Sequence, residues 1–160
     1  MSLASVIDAA LRRDSETPAV IFEGRDFGWP WMRSVADALG ALLAEAGIAH
    51  DAPVGIVARN RPAFVAALLS MMRDGRSMAM IYALQSPEAI AADIAALQLS
   101  AVIADMADWS AEARAAAART GTLAIVWTAP RQSQPRRSPD PAIRPTCRIA
   151  APSRSRASNC

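Results

Sequence analysis

Lysine is absent, and all 17 basic residues of this 160-residue chain are arginines. Chemistry that needs a lysine, whether as a Schiff base or as a point charge on a phosphate, is therefore excluded for these residues. Histidine occurs only as His50 and cysteine only as Cys147 and Cys160. Neither a disulfide framework nor a zinc-ligand spacing can be assembled from so few, which fits a reducing, cytoplasmic setting. The 7 glycines are spread out, no two closer than four positions. The dinucleotide fingerprint needs glycines two and three positions apart and a Walker-type loop needs a Gly-Lys pair, so neither is present. The chain has no apolar run of about 18 residues. Its start, with Asp8, Arg12, Arg13 and Asp14, lacks the basic-then-apolar order of a signal peptide. No membrane span is expected.

What the chain does have is enough apolar residue for a core, 52% hydrophobic against 20% charged, in a length that fits one domain. Alanine carries much of that count and aromatics are 5%, so each residue buries modest area. Charge divides the chain near Pro130. Residues 1–130 hold 10 arginines against 14 acidic residues, a net of −4, whereas 131–160 hold 7 arginines against Asp140 alone, a net of +6. Five prolines and five serines share that last segment. Without apolar periodicity it cannot offset the entropy of ordering, so a disordered tail is expected over 131–160. Clustered arginine suits a nucleic-acid arm, but no aromatic interleaves it for base stacking, and no specific nucleic acid is expected. A shifted reading frame in GC-rich DNA would also produce such a change of composition.

The body alternates between the two periodicities. Ser5–Arg13 reads as an amphipathic helix, and Ala19–Phe22 as a strand turned by Glu23-Gly24-Arg25 into a second strand near Phe27. Pro30 suits the first turn of a helix with Val35, Leu39, Leu42, Leu43 and Ala46 on one face and a stop at Gly47. Val54–Ala58 is a strand. Asn60 is the expected N-cap of a helix from Pro62, burying Phe64, Leu68 and Met72 and ending at Gly75. Met78–Tyr82, a helix from Ser86 to Leu97, Ala101–Ala104, a helix over Ala111–Arg119 and Leu123–Trp127 follow. Strands alternating with helices predict an α/β fold, an incomplete and mainly parallel sheet with helices on both faces.

Four groups could carry chemistry. Gly75-Arg76-Ser77-Met78-Ala79 resembles a nucleophile elbow, but it follows a helix and precedes a strand, the reverse of what an elbow needs. His50-Asp51 lies between Gly47 and Pro53, where neighbours in a turn point apart. Met71, Met72, Met78 and Met80 have the spacing of a helix face and then a strand, which is core filling. Asp105, Asp108 and Glu112 gather after a strand end, where the helix dipole favours acids in any case. No catalytic, cofactor-binding or metal residue is assigned.

The order of the pieces is more specific than any of these groups. Thr17-Pro-Ala-Val-Ile-Phe-Glu-Gly-Arg25, the helix ending Ala46-Gly47-Ile48, and Val54-Gly-Ile-Val-Ala-Arg-Asn60 resemble the N-terminal subdomain of the AMP-forming adenylate synthetases. This superfamily contains acyl-CoA ligases, nonribosomal adenylation domains and luciferases. The resemblance continues through Pro62–Gly75, Ser86-Pro87-Glu88 and Ala101-Val102-Ile103, covering residues 4–127. It departs from the family pattern at Gly28-Trp29, Asp51-Ala52, Met80 and Tyr82.

The resemblance implies an acid–thiol ligase activity: ATP-dependent activation of a carboxylic, expected fatty, acid to an acyl-adenylate, then transfer to coenzyme A. ATP, Mg2+ and coenzyme A are implied for the intact family. The Thr/Ser/Gly-rich phosphate loop, the Mg2+ carboxylate, the ribose-binding Asp and the lid lysine lie in the family beyond the point where this chain turns basic. No cofactor is therefore expected in this fragment, which reads as a truncated, inactive member: residues 1–130 a partial AMP-binding subdomain, 131–160 a tail. The alternative is a non-enzymatic α/β interaction module whose basic tail binds nucleic acid. Self-association is expected through exposed apolar surface, with Ala19–Phe22 and Leu123–Trp127 as the candidate segments.

Overall fold

The computed structural model describes residues 2–13, 15–128 and 146–149. The chain enters through helix α1, Leu3–Leu11, whose Ser2 hydroxyl accepts a hydrogen bond from the Ser5 amide. A two-stranded antiparallel hairpin follows, β1 (Val20–Phe22) and β2 (Arg25–Phe27). Glu23 and Gly24 both have positive φ, 50° and 72°, the backbone a two-residue hairpin turn requires to match the twist of its strands.

Helix α2 (Trp29–Glu45) leads to the main sheet, built from β3 (Val54–Ala58), α3 (Pro62–Arg73), β4 (Met78–Tyr82), α4 (Pro87–Leu97), β5 (Ala101–Ala104), a short 3-10 turn at Met106–Asp108, α5 (Ala111–Thr120) and β6 (Leu123–Thr128). These four strands run parallel in the order β4-β3-β5-β6. A last strand, β7 (Thr146–Ile149), pairs antiparallel along β6. These four residues lie within the segment expected to be a tail, and they are paired because β6 would otherwise present an open edge. The rest of 131–160 lies outside the described residues.

Alternation along the strands splits the core into two layers. Val54, Ile56, Ala101, Ile103, Ile125 and Trp127 pack with buried residues of α1, α2 and α3, such as Leu11, Leu39 and Phe64. Val57, Ile81, Val102, Ala104 and Val126 face the other way, onto Ile90 and Ile94 of α4 and Ala113 and Ala116 of α5. A parallel sheet covered on both faces is what the near-continuous apolar runs demand. Alanine on α5 lets that helix sit close to the strands. Gly55 makes room on the same face for Leu99 and Val102, since a Cβ there would lie 2.5 Å from Leu99 Cδ1 and 3.0 Å from Val102 Cγ2.

Two sequence expectations change. Asn60 does not cap α3; the N-cap is Arg61, with φ −138° and ψ 147° and no side-chain cap bond. Pro62 at the first helical position forces the residue before it to be extended, and that places the helix boundary at Arg61. Leu123–Trp127 is not an exposed edge either, because β6 is flanked by β5 and β7 and Trp127 is 1% exposed.

Candidate functional site

In a parallel α/β sheet, ligands enter at the carboxyl ends of the strands, at the point where successive connections leave on opposite faces. Here that point lies between β3 and β5: β3 continues into α3 on one face, whereas β5 continues through the 3-10 turn into α5 on the other. The residues leaving β3 are Arg59, Asn60 and Arg61, and those leaving β5 are Asp105 and Asp108.

These charges meet in pairs. Arg59 Nε donates to Asp108 Oδ2 at 2.8 Å, and its Nη2 donates to Asp108 Oδ1, a two-pronged grip on a carboxylate that is almost wholly buried. Hydrogen bonding to Asp108 raises the Arg59 guanidinium above its ordinary value. Arg61 Nη1 donates to Asp105 Oδ2 at 2.9 Å. Asp105 also accepts from the Ala107 amide at 3.2 Å, so the same side chain caps the turn. Behind Asp108, Trp109 Nε1 donates to the Ile125 carbonyl at 3.2 Å and anchors the turn under the sheet.

Two hollows flank the pairs. One, of about 530 Å³, is lined by Ala58–Arg61 and Met80–Leu84 at the outer edge. The other, of about 170 Å³, is lined by Arg59, Gln85, Asp108 and Ser110 among others. Gln85 Nε2 donates to Asp93 at 2.6 Å and ties the β4–α4 loop to its helix.

The arrangement fixes loops and does not offer a reactive group. Both carboxylates at the mouth are held by arginines, so they are not disposed to hold Mg2+. Among the described residues no cluster of three His, Cys, Asp or Glu could take a metal ion. The residues present do not fit an ATP–Mg2+ site.

Of the sequence candidates, only Asp105 and Asp108 come to the mouth. Glu112 sits exposed in the first turn of α5, where its own backbone N–H and the Ser110 hydroxyl hold its carboxyl below the usual range. His50 and Asp51 occupy an exposed turn. Gly75 to Ser77 form the turn from α3 into β4, with Arg76 Nη1 donating to the Ala49 carbonyl at 2.8 Å. Met71 is buried, and Met72 and Met78 pack against the same core. Met80 differs, being 55% exposed on the edge strand. Sequence reading missed Arg59 and Arg61 as site formers, although two arginines just past an apolar run were the available signal.

The sequence profile described as AMP-binding enzyme matches residues 7–153. The chain belongs to that family. The match runs past Pro130 into the arginine-rich segment. Solved structures repeat the fold at low identity. A benzoate CoA ligase from Burkholderia xenovorans LB400 superposes with TM-score 0.66 and 16% identity, over 78% of this chain and 25% of its own. ATP-bound MatB from Rhodopseudomonas palustris gives 0.63 and 14%, over 80% and 26%. An artificially fused adenylation–PCP di-domain, NpsA-ThdA from Klebsiella oxytoca, gives 0.59 and 19%, over 70% and 21%. The chain thus spans about a quarter of the length of these proteins. No curated protein sequence matches it. Among the described residues no helix is long and apolar enough to cross a membrane.

Proposed function

We propose that this AMP-binding family chain is the structural α/β portion of a carboxylate-activating, adenylate-forming ligase, that it resides in the cytoplasm, and that it does not adenylate a substrate alone. The observation that carries the reading is the mouth between β3 and β5. Its Arg59–Asp108 and Arg61–Asp105 pairs consume one another's charge, and neither a glycine-rich cradle nor any lysine stands nearby to hold a triphosphate. Transition-state charge on a transferring phosphoryl or adenylyl group needs several such donors, each worth about 3 kcal/mol.

The acid in the intact reaction is a carboxylic acid. The structural neighbours include benzoate and anthranilate CoA ligases, which favours an aryl acid at least as much as the fatty acid first expected. The division at Pro130 belongs to the same reading: residues 1–130 carry the α/β body of the AMP-binding unit, and the arginine-rich remainder, which the family match enters as far as residue 153, adds β7 to its edge. A shifted frame past Pro130 is tested by the coding DNA, where another frame would encode a Thr/Ser/Gly-rich loop ending in Pro-Lys-Gly.

Thermal shift tests the functional reading. ATP with Mg2+, benzoate or coenzyme A should leave the melting midpoint of the purified chain unchanged, and saturable stabilisation by any of them overturns it.

A further inference from the structure

The surface that neither the ion-paired mouth nor the two core layers account for is the outer edge of β4. Among the described residues this strand is hydrogen-bonded on one side only, to β3, at the end of the sheet. Soluble proteins blunt such edges with charge, proline, bulges or a covering segment. From Ser77 to Ser86 there is no charged residue, no proline and no glycine. Met80 and Tyr82 stand 55% and 65% exposed along it, and Leu84, in the turn just beyond, is 72% exposed. The opposite end of the sheet, by contrast, carries Arg148 on its last strand.

We propose that β4 is a self-association edge: Met78–Tyr82 of one copy pairs antiparallel with Met78–Tyr82 of a second copy about a two-fold axis through Met80, so that the sheet runs continuously through both. Self-complementarity selects this occupant. A two-fold places the same patch against itself, and an uncharged strand meets none of the like-charge repulsion that bars most strands from doing so. Centred on Met80, the pairing sets Met80 opposite Met80 and each Tyr82 opposite a Met78. This joins the exposed side chains in one stripe with two thioether–aromatic contacts. On the other side Ala79 meets Ile81, small against large, on the face that α4 covers.

The exposed Met80 and Tyr82 side chains contribute on the order of 270 Å² per copy, about a third of what a standard interface buries per partner. The strand backbones and the loop Arg59–Arg61 beside the 530 Å³ groove supply further contact.

Two measurements on the full chain decide it. In a Cys147→Ser, Cys160→Ser background, Met80→Cys should oxidise to a disulfide-linked dimer, since opposed Cα atoms in an antiparallel pair lie about 4.5–5.5 Å apart, within disulfide reach. Val65→Cys, exposed on α3 and away from β4, should not. Sedimentation equilibrium of the unsubstituted chain should show a monomer–dimer equilibrium that Met80→Lys weakens by about tenfold or more, by setting two ammonium groups face to face. A chain that remains monomeric at about 100 µM, or one whose association ignores Met80→Lys, overturns the proposal.

Discussion

Arg59 holds Asp108 with both arms of its guanidinium across the gap between β3 and β5. The two residues are 49 positions apart in sequence and come together because β3 and β5 are neighbours in the sheet with all of β4 and α4 looped out between them. Arg61 and Asp105 repeat the link one step outward. The two pairs turn the carboxyl end of the sheet into a rigid mouth.

Asp108→Asn leaves the partly buried guanidinium without its anion, and Arg59→Met leaves a buried carboxylate without its cation. Each should cost about 3 kcal/mol in urea unfolding, whereas the double substitution should cost clearly less than their sum. Arg59→Lys should recover only part, because an ammonium cannot engage both carboxylate oxygens in the same way. Additive losses would mean that the pair is not coupled.

Gly55→Ala pushes a methyl into Leu99 and Val102. Overpacking of this kind costs about 1–3 kcal/mol. Leu99→Ala, itself destabilising, should combine with Gly55→Ala for less than the sum of the two, since the cavity accepts the new methyl. The check is the set of denaturation midpoints for the four chains.

Acid should destabilise the fold through two exposed carboxylates. Hydrogen bonding from Arg12 lowers the Asp8 carboxyl, and the backbone N–H of Glu112 with the Ser110 hydroxyl lowers that of Glu112. A folded-state value below the unfolded one contributes stability that is present above the unfolded value and is lost as pH falls through the folded one. The loss should therefore set in below about pH 4.5 and deepen toward pH 3. Glu112→Gln should flatten that part of the stability–pH curve by lowering stability near pH 7 while leaving it little changed near pH 3. An equally steep curve in the variant would show that Glu112 is not a contributor.

Most of the fold was legible because its parallel strands are buried on both faces and so are written as short uninterrupted runs, Val54–Ala58 and Ala101–Ala104 among them. Helix boundaries were legible where a cap or proline marks them, as at Ser86-Pro87. The Asn60 expectation failed because a proline's restriction on its predecessor outweighs the capping preference of asparagine two positions away. The edge was misplaced for a different reason. Strand order is a property of pairing and not of composition, so nothing in Leu123–Trp127 says that it is interior and nothing in Met78–Tyr82 says that it is last. The mouth was half legible: Asp105 and Asp108 stood out as acids after a strand, but their arginine partners lie more than forty residues earlier, and only the fold brings them together.

The most direct test of the account is carboxylate-dependent exchange of labelled pyrophosphate into ATP by the purified chain, with benzoate and a medium-chain fatty acid as substrates. The account predicts no exchange above a protein-free blank with either acid. Exchange that follows the chain through successive purification steps and disappears when it is unfolded would contradict it, and would place an adenylating site on a chain without a single lysine.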